Sequence, residues 1–222
     1  MRIGGFQKFS LLDYPGKIAA IVFTQGCNFR CGYCHNPQLV CPRQFQATVE
    51  ESVVLGFLGS RRGKLQGVVV SGGEPTVQKG LLDFLDKLKA MGYAVKLDTN
   101  GSDPQKLASI IELHLADFIA MDIKTSLARY EKAVGVKPDI ERIKASIDLI
   151  IKSGLPYQFR TTLVKAHCSG EDLKDIQELI GPSRCHALQS FIPSSRIIDR
   201  QILSQEQYTP KDVQDLRLQF QR

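Results

Sequence analysis

The sequence predicts an α/β protein whose parallel sheet is wrapped by helices, an open partial TIM barrel of the (β/α)6 kind. Short apolar or alternating segments recur along the chain, and each is followed by an amphipathic segment of helical period. Six such units fall short of the eight that close a TIM barrel, so the sheet is expected to stay open and curved.

The predicted strands cover residues 18–24, 67–71, 93–98, 117–123, 156–163 and 186–193. They are rich in Val, Ile, Phe and Leu and are bounded by Gly, Pro or Asn. The helices predicted between and after them cover residues 48–62, 78–91, 104–115, 139–153, 170–180 and 210–221. In the fourth helix Ile140, Ile143, Ile147, Ile150 and Ile151 fall on one face, with Asp139 as N-cap and Gly154 as the stop. Leu81, Leu82, Leu85 and Leu88 repeat the pattern in the second. Both stripes read as core.

At 222 residues, 43% hydrophobic and 23% charged, the chain is expected to form one domain over residues 1–222 with a substantial core. The net charge of +6 is scattered rather than gathered into a basic run interleaved with aromatics, which argues against a nucleic-acid partner. A surplus of this size suits docking on an acidic protein. The first ten residues lack the apolar core of a signal peptide, and no apolar run approaches bilayer length, so neither export nor a membrane is expected. The reduced cytoplasm is the expected compartment. Cys41, Cys168 and Cys185 share no motif and read as buried free thiols.

Cys27, Cys31 and Cys34 stand in the run Cys-Asn-Phe-Arg-Cys-Gly-Tyr-Cys directly after the first predicted strand. Ligands spaced this tightly come from one compact loop. Thiolate sulfur suits iron–sulfur clusters and zinc. Three thiolates can hold three corners of a [4Fe–4S] cluster and leave the fourth iron open for a substrate. A structural zinc site would need a fourth ligand, which Cys41 or His35 would have to supply.

The other strand ends carry polar residues as well. Ser71-Gly72-Gly73-Glu74-Pro75 ends the second strand, where two glycines permit close backbone approach and Glu74 offers a carboxylate to an amine. Asp98-Thr99-Asn100-Gly101 ends the third, and Ala120-Met121-Asp122-Ile123-Lys124 ends the fourth. Each alone is explained as a turn or a helix cap. Together they place carboxylates, a hydroxyl and an ammonium on the rim where such folds carry their chemistry. On the fifth strand, alternation puts Arg160 on one face with Gln158, either turned inward to pair with a carboxylate or solvated at the edge.

The Cys-x3-Cys-x2-Cys run with its Gly-Gly-Glu-Pro partner resembles the signature of the radical S-adenosylmethionine (SAM) enzymes. The resemblance implies the same (β/α)6 architecture, a [4Fe–4S] cluster and SAM. It assigns Tyr33 to the adenine, and Gly72, Gly73 and Glu74 to the methionine amino group. Segments such as Asp98-Thr99 and Asp122-Ile123-Lys124 resemble those of the glycyl-radical-enzyme activases. There, counterparts of Asp98, Thr99 and Asp122 surround SAM and a nearby monovalent cation, and that of Lys124 contacts SAM. Asn36, Asn100 and Arg160 are also expected in the cofactor-binding set.

Ser10-Leu11-Leu12-Asp13-Tyr14-Pro15-Gly16-Lys17, Phe23-Thr24-Gln25-Gly26-Cys27 and Cys34-His35-Asn36-Pro37 look like the activating proteins of anaerobic (class III) ribonucleoside-triphosphate reductase. Pyruvate formate-lyase activase shares Cys-His-Asn. It carries a His near the point where this chain has Phe191-Ile192-Pro193-Ser194-Ser195. The Cys-rich insertion of activases with extra clusters is missing. The implied reaction uses one electron from a flavodoxin or ferredoxin to cleave SAM to methionine and a 5′-deoxyadenosyl radical. That radical then removes a glycine Cα hydrogen from the partner reductase. Two alternatives stand beside it: a small-molecule radical SAM enzyme such as 7-carboxy-7-deazaguanine synthase, and a zinc-stabilised binding module without catalysis.

Overall fold

The computed structural model describes residues 1–181 and 185–220. Seven strands form one sheet in the order of the chain: β1 (Ile3–Ser10), β2 (Ala19–Thr24), β3 (Gly67–Gly72), β4 (Ala94–Thr99), β5 (Phe118–Asp122), β6 (Tyr157–Leu163) and β7 (His186–Ser190). From β2 to β7 every pairing is parallel, as a run of βα units requires. The sheet ends at β1 and β7 without closing on itself, the expected open barrel.

Helices cover the outside: α1 (Pro37–Val40), α2 (Glu51–Ser60), α3 (Leu81–Ala90), α4 (Pro104–Glu112), α5 (Tyr130–Val134), α6 (Ile140–Lys152), α7 (Gly170–Ile180) and α8 (Pro210–Phe220). Among the described residues no helix is long and apolar enough to cross a membrane. Asp139 caps α6 through the main-chain N–H groups of Glu141 and Arg142, and Gly154 follows in the left-handed region at φ +72°. Ile143, Ile147 and Ile150 are buried, but Ile151 is 39% exposed and drops out of the predicted stripe. Leu81, Leu85 and Leu88 are buried as expected, with Leu82 half-buried.

Several predicted boundaries move because tertiary contacts claim the ends. The helix predicted from residue 48 begins at Glu51, since Val49 is bridged in extended form to Ile3. The helix predicted to reach Leu115 stops at Glu112, where His114 turns left-handed at φ +53°. Gln221, the last residue of the final predicted helix, lies outside the described residues. Of the three cysteines read as buried, only Cys168 is; Cys41 is half-buried and Cys185 exposed.

The strand that sequence reading missed is β1. Its Gly4-Gly5 pair looks like a breaker, but β1 pairs antiparallel with β2, and Gly4 sits where a Cβ would lie 2.5 Å from Leu39. Leu39 together with the Gln25 Cβ, 2.9 Å from the same point, explains the glycine.

Strand register stacks the inward residues in layers. Ala19, Gly67 and Ala94 lie at the N-terminal end, where the buried Tyr14 ring packs on Gly67 and plugs the barrel. Ile21, Val69, Lys96 and Phe118 form the next layer. Above them come Ser71, Asp98 and Asp122 near the ends of β3 to β5, with Arg160 at mid-strand in β6 opposite Asp122. Apart from Lys96, the lower lumen is therefore apolar and the upper lumen polar.

Candidate active site

At the C-terminal end of the strands a cavity of roughly 300 Å³ opens. Cys27, Cys31, Tyr33, Cys34 and Asn36 line it from the loop after β2, with Gly72, Gly73 and Glu74 after β3. Asp98, Thr99, Asn100, Asp122, Lys124 and Arg160 complete the expected set, so every site residue expected from sequence reaches this one cavity.

The loop that carries the cysteines is held by its own chain and by the rim. Arg30 donates to the carbonyls of Cys27 and Phe29 at 2.7 Å each, and its main-chain N–H donates to Val134 O. Cys34 N–H donates to Cys31 O at 3.0 Å, which draws these two cysteines into one turn. Asp199 N–H donates to Gly32 O at 2.8 Å, so the segment after β7 clamps the loop. None of the three thiols is in a disulfide. Burial pushes the Cys27 thiol up to about 12, and burial likewise raises Cys31 and Cys34, each opposed in part by the Lys124 ammonium. Three soft donors on one short loop, facing a cavity lined with hydrogen-bonding groups, fit an iron–sulfur cluster.

Of the two residues that could supply a zinc site's fourth ligand, His35 is engaged elsewhere. His35 Nε2 is hydrogen-bonded to Ile192 O at 2.7 Å, and its ring stacks on Phe191. Tyr33 is buried with its ring 5.7 Å from that of His167. Asn36 is the N-cap residue of α1, and its side-chain oxygen accepts from Gln38.

Glu74 is a hub rather than a free carboxylate. It is 1% exposed, and Oε1 accepts from Thr76 N–H, Thr76 Oγ1 and Thr99 Oγ1 at 2.6–3.0 Å. Oε2 accepts from Asn100 N–H. Burial raises its pKa, and these four hydrogen bonds oppose the rise. The adjacent glycines answer to the backbone of the neighbouring strand. A Cβ on Gly72, whose φ is +115°, would lie 2.3 Å from Thr24 N, and one on Gly73 would lie 2.1 Å from Gly26 O. Asn100 links this hub to the cysteine loop through Asn28 Oδ1 at 3.0 Å.

On the opposite wall charges alternate across three strands. Lys96 Nζ donates to Asp98 Oδ1, and Arg160 donates to Asp98 Oδ2 at 3.1 Å and to Asp122 Oδ1 at 2.7 Å. Lys124 Nζ completes the row on Asp122 Oδ2 at 3.0 Å. Burial works against the charge on Asp122, but Arg160 and Lys124 outweigh it and hold the carboxyl well below the usual range. Burial also works against Lys124 and Arg160, and their carboxylate partners raise both despite it. Arg160 thus takes the inward of its two expected orientations.

Sequence reading passed over Lys96, although a lysine two residues before Asp98 in an apolar strand shares its face by simple alternation. It also missed Ser71, which donates to Asp98, and Thr162 and Gln189, which line the β6–β7 side. Thr162 and Gln189 carried no motif, and Ser71 was read only as the residue before the two glycines.

Residues 21–180 match the family model described as the radical SAM superfamily. A protein of Methanocaldococcus jannaschii, described as a candidate glycyl-radical enzyme activating enzyme, is 34% identical over 197 residues, covering 86% of this chain and 80% of that protein. The pyruvate formate-lyase-activating enzyme of Listeria monocytogenes is 34% identical over 134 residues, or 55% of this chain and 53% of its own length. Among solved structures, Streptococcus suis SuiB bound to its precursor peptide SuiA matches 90% of this chain with a TM-score of 0.70 at 15% identity, which bears on the fold alone. The chain spans about half the length of the Listeria enzyme and 44% of SuiB. This protein belongs to the radical SAM superfamily of enzymes, with glycyl-radical enzyme activating enzymes among its relatives.

Proposed function

We propose that this protein is an activase that cleaves SAM reductively and removes a glycine Cα hydrogen from a partner glycyl radical enzyme, an anaerobic ribonucleoside-triphosphate reductase. The observation that carries the reading is the convergence of the three thiols and the Glu74 and Asp98–Asp122 walls on one cavity. The Methanocaldococcus jannaschii relative, which matches over most of both chains, supports the activase assignment. The reductase is favoured as partner by the motifs flanking the cysteines.

Cys27, Cys31 and Cys34 would hold a [4Fe–4S] cluster, which when bound supplies one-electron reduction of a sulfonium at its open iron. The protein's part is positioning. Glu74 fixes the turns after β3 and β4 relative to each other at the rim of the cavity, and Gly72 and Gly73 bring that backbone against the end of β2 and the start of the cysteine loop. Lys124 and Arg160 are cations fixed on the far wall, suited to a carboxylate substituent. Tyr33, Asn36, Asp98, Thr99, Asn100 and Asp122 form the remainder of the proposed SAM pocket. A flavodoxin or ferredoxin is the proposed electron donor, and the net charge of +6 suits an acidic one.

The test is anaerobic reconstitution with iron, sulfide and SAM, followed by addition of the reductase. The expected result is deoxyadenosine formation and a glycyl radical signal by electron paramagnetic resonance on the reductase. Deoxyadenosine at the wild-type rate from Cys34→Ala, or turnover of a free pterin without a protein partner, would overturn the reading.

A further inference from the structure

The family resemblance places a monovalent cation among Asp98, Thr99 and Asp122. In this chain each side-chain oxygen of those residues is already engaged. Asp98 Oδ1 takes Lys96, and Asp98 Oδ2 takes both Ser71 Oγ and Arg160. Asp122 Oδ1 takes Arg160 Nε and Oδ2 takes Lys124. Thr99 Oγ1 donates to Glu74 and accepts from Gly101 N–H. A hard cation needs several oxygen ligands at once, and this set has none free of a protein donor.

The charges agree. Asp98 and Asp122 are met by Lys96, Arg160 and Lys124, so two carboxylates already face three cations. The nearby Glu74 spends its oxygens on Thr76, Thr99 and Asn100. Lys96 decides the matter. Its side chain is 3% exposed, and its layer-mates Ile21, Val69 and Phe118 offer no side-chain acceptor, the Phe118 ring lying 5.9 Å from Nζ. Among the described residues, the one carboxylate its ammonium meets is Asp98, one layer higher on the same face of β4. A buried ammonium without that partner would be costly.

We infer that Lys96, with Arg160, is a built-in counter-ion that takes the place of the monovalent cation, so that SAM binding here does not depend on potassium or sodium. The inference rests on the proposed SAM pocket. It predicts that deleting the ammonium creates a cation requirement the native protein lacks.

The experiment uses anaerobic, cluster-loaded protein and measures SAM affinity in potassium, sodium or choline chloride at matched ionic strength. Wild-type affinity should agree within about twofold across the three salts. Lys96→Met should bind about tenfold more weakly in choline and recover in potassium. Rubidium, a potassium surrogate visible by anomalous scattering, should be absent beside Asp98 in wild-type crystals and present in Lys96→Met. A rubidium ion on Asp98 or Asp122 of the wild type, or about tenfold weaker wild-type binding in choline, overturns the inference. Should Lys96→Met not fold, the wild-type measurements alone decide. If the wild type binds no SAM in any salt, the proposed function fails, and the rubidium result still decides the cation question.

Discussion

Glu74 Oε2 accepts the main-chain N–H of Asn100 at 2.6 Å, a bond that ties the turn after β3 to the turn after β4. Because Oε1 also holds Thr76 and Thr99, one buried carboxylate sets the relative position of two neighbouring rims of the cavity. Asn100 carries the connection onward to Asn28 in the cysteine loop. The wall nearest the cysteines is thus built around an anion used for architecture.

Glu74→Gln keeps the shape of the side chain but replaces one acceptor oxygen with a donor amide. At least one of the four donors then loses its partner in a buried place. The expected cost is about 2–3 kcal/mol of stability, read as a lowered urea midpoint with an unchanged slope. A variant as stable as wild type would show that the hub does not order the rim.

Gly72→Ala forces a Cβ to within 2.3 Å of Thr24 N at a φ of +115°. Backbone cannot yield as a flexible side chain can, so the junction of β2 and β3 must open. A loss of about 3 kcal/mol or more is expected, with reduced iron retention after reconstitution. Gly16→Ala is the control, since it shares a left-handed φ of +71° but has nothing within 4 Å of a new Cβ.

Arg160→Met removes a side chain that donates to both Asp98 and Asp122. Breaking this part-buried network from one side is expected to cost about 1–3 kcal/mol. The Asp122 carboxyl should then titrate at higher pH, which carboxyl carbon NMR can follow. Arg160→Lys should recover only part of the loss, because a single ammonium cannot reproduce the fork that reaches two carboxylates.

His186 makes the fold acid-sensitive. Burial lowers its pKa to about 4, from an ordinary value near 6.5. Gln177 donates to Nδ1, so Nε2 carries the proton toward Thr161, whose hydroxyl donates to Ile123 O. The unfolded chain therefore binds the extra proton first. Stability is expected to fall as pH drops from about 6.5 to about 4, by up to roughly 3 kcal/mol. His186→Gln should flatten that part of the pH profile of the urea midpoint; an unchanged slope would assign the acid sensitivity to other groups.

The six βα units, the helix caps at Asp139 and Gly154, and the cysteine loop were legible in the sequence because each is a local pattern. Apolar period, capping chemistry and ligand spacing are all set within a few residues of one another. The strand ends were legible too, since chemistry in this architecture collects where β2 to β6 finish.

What the chain alone could not show is what its polar residues do to one another. Gly4, Gly72 and Gly73 are glycines because Leu39, Thr24 and Gly26 approach them from other elements. Glu74 is enclosed by donors from its own turn and from the end of the next strand, and Lys96 meets Asp98 inside the lumen. Sequence thus determined which residues reach the mouth of the barrel. Only the tertiary structure, by burying charges beside chosen partners, decided which of them are spent on building it and which are left to meet a ligand.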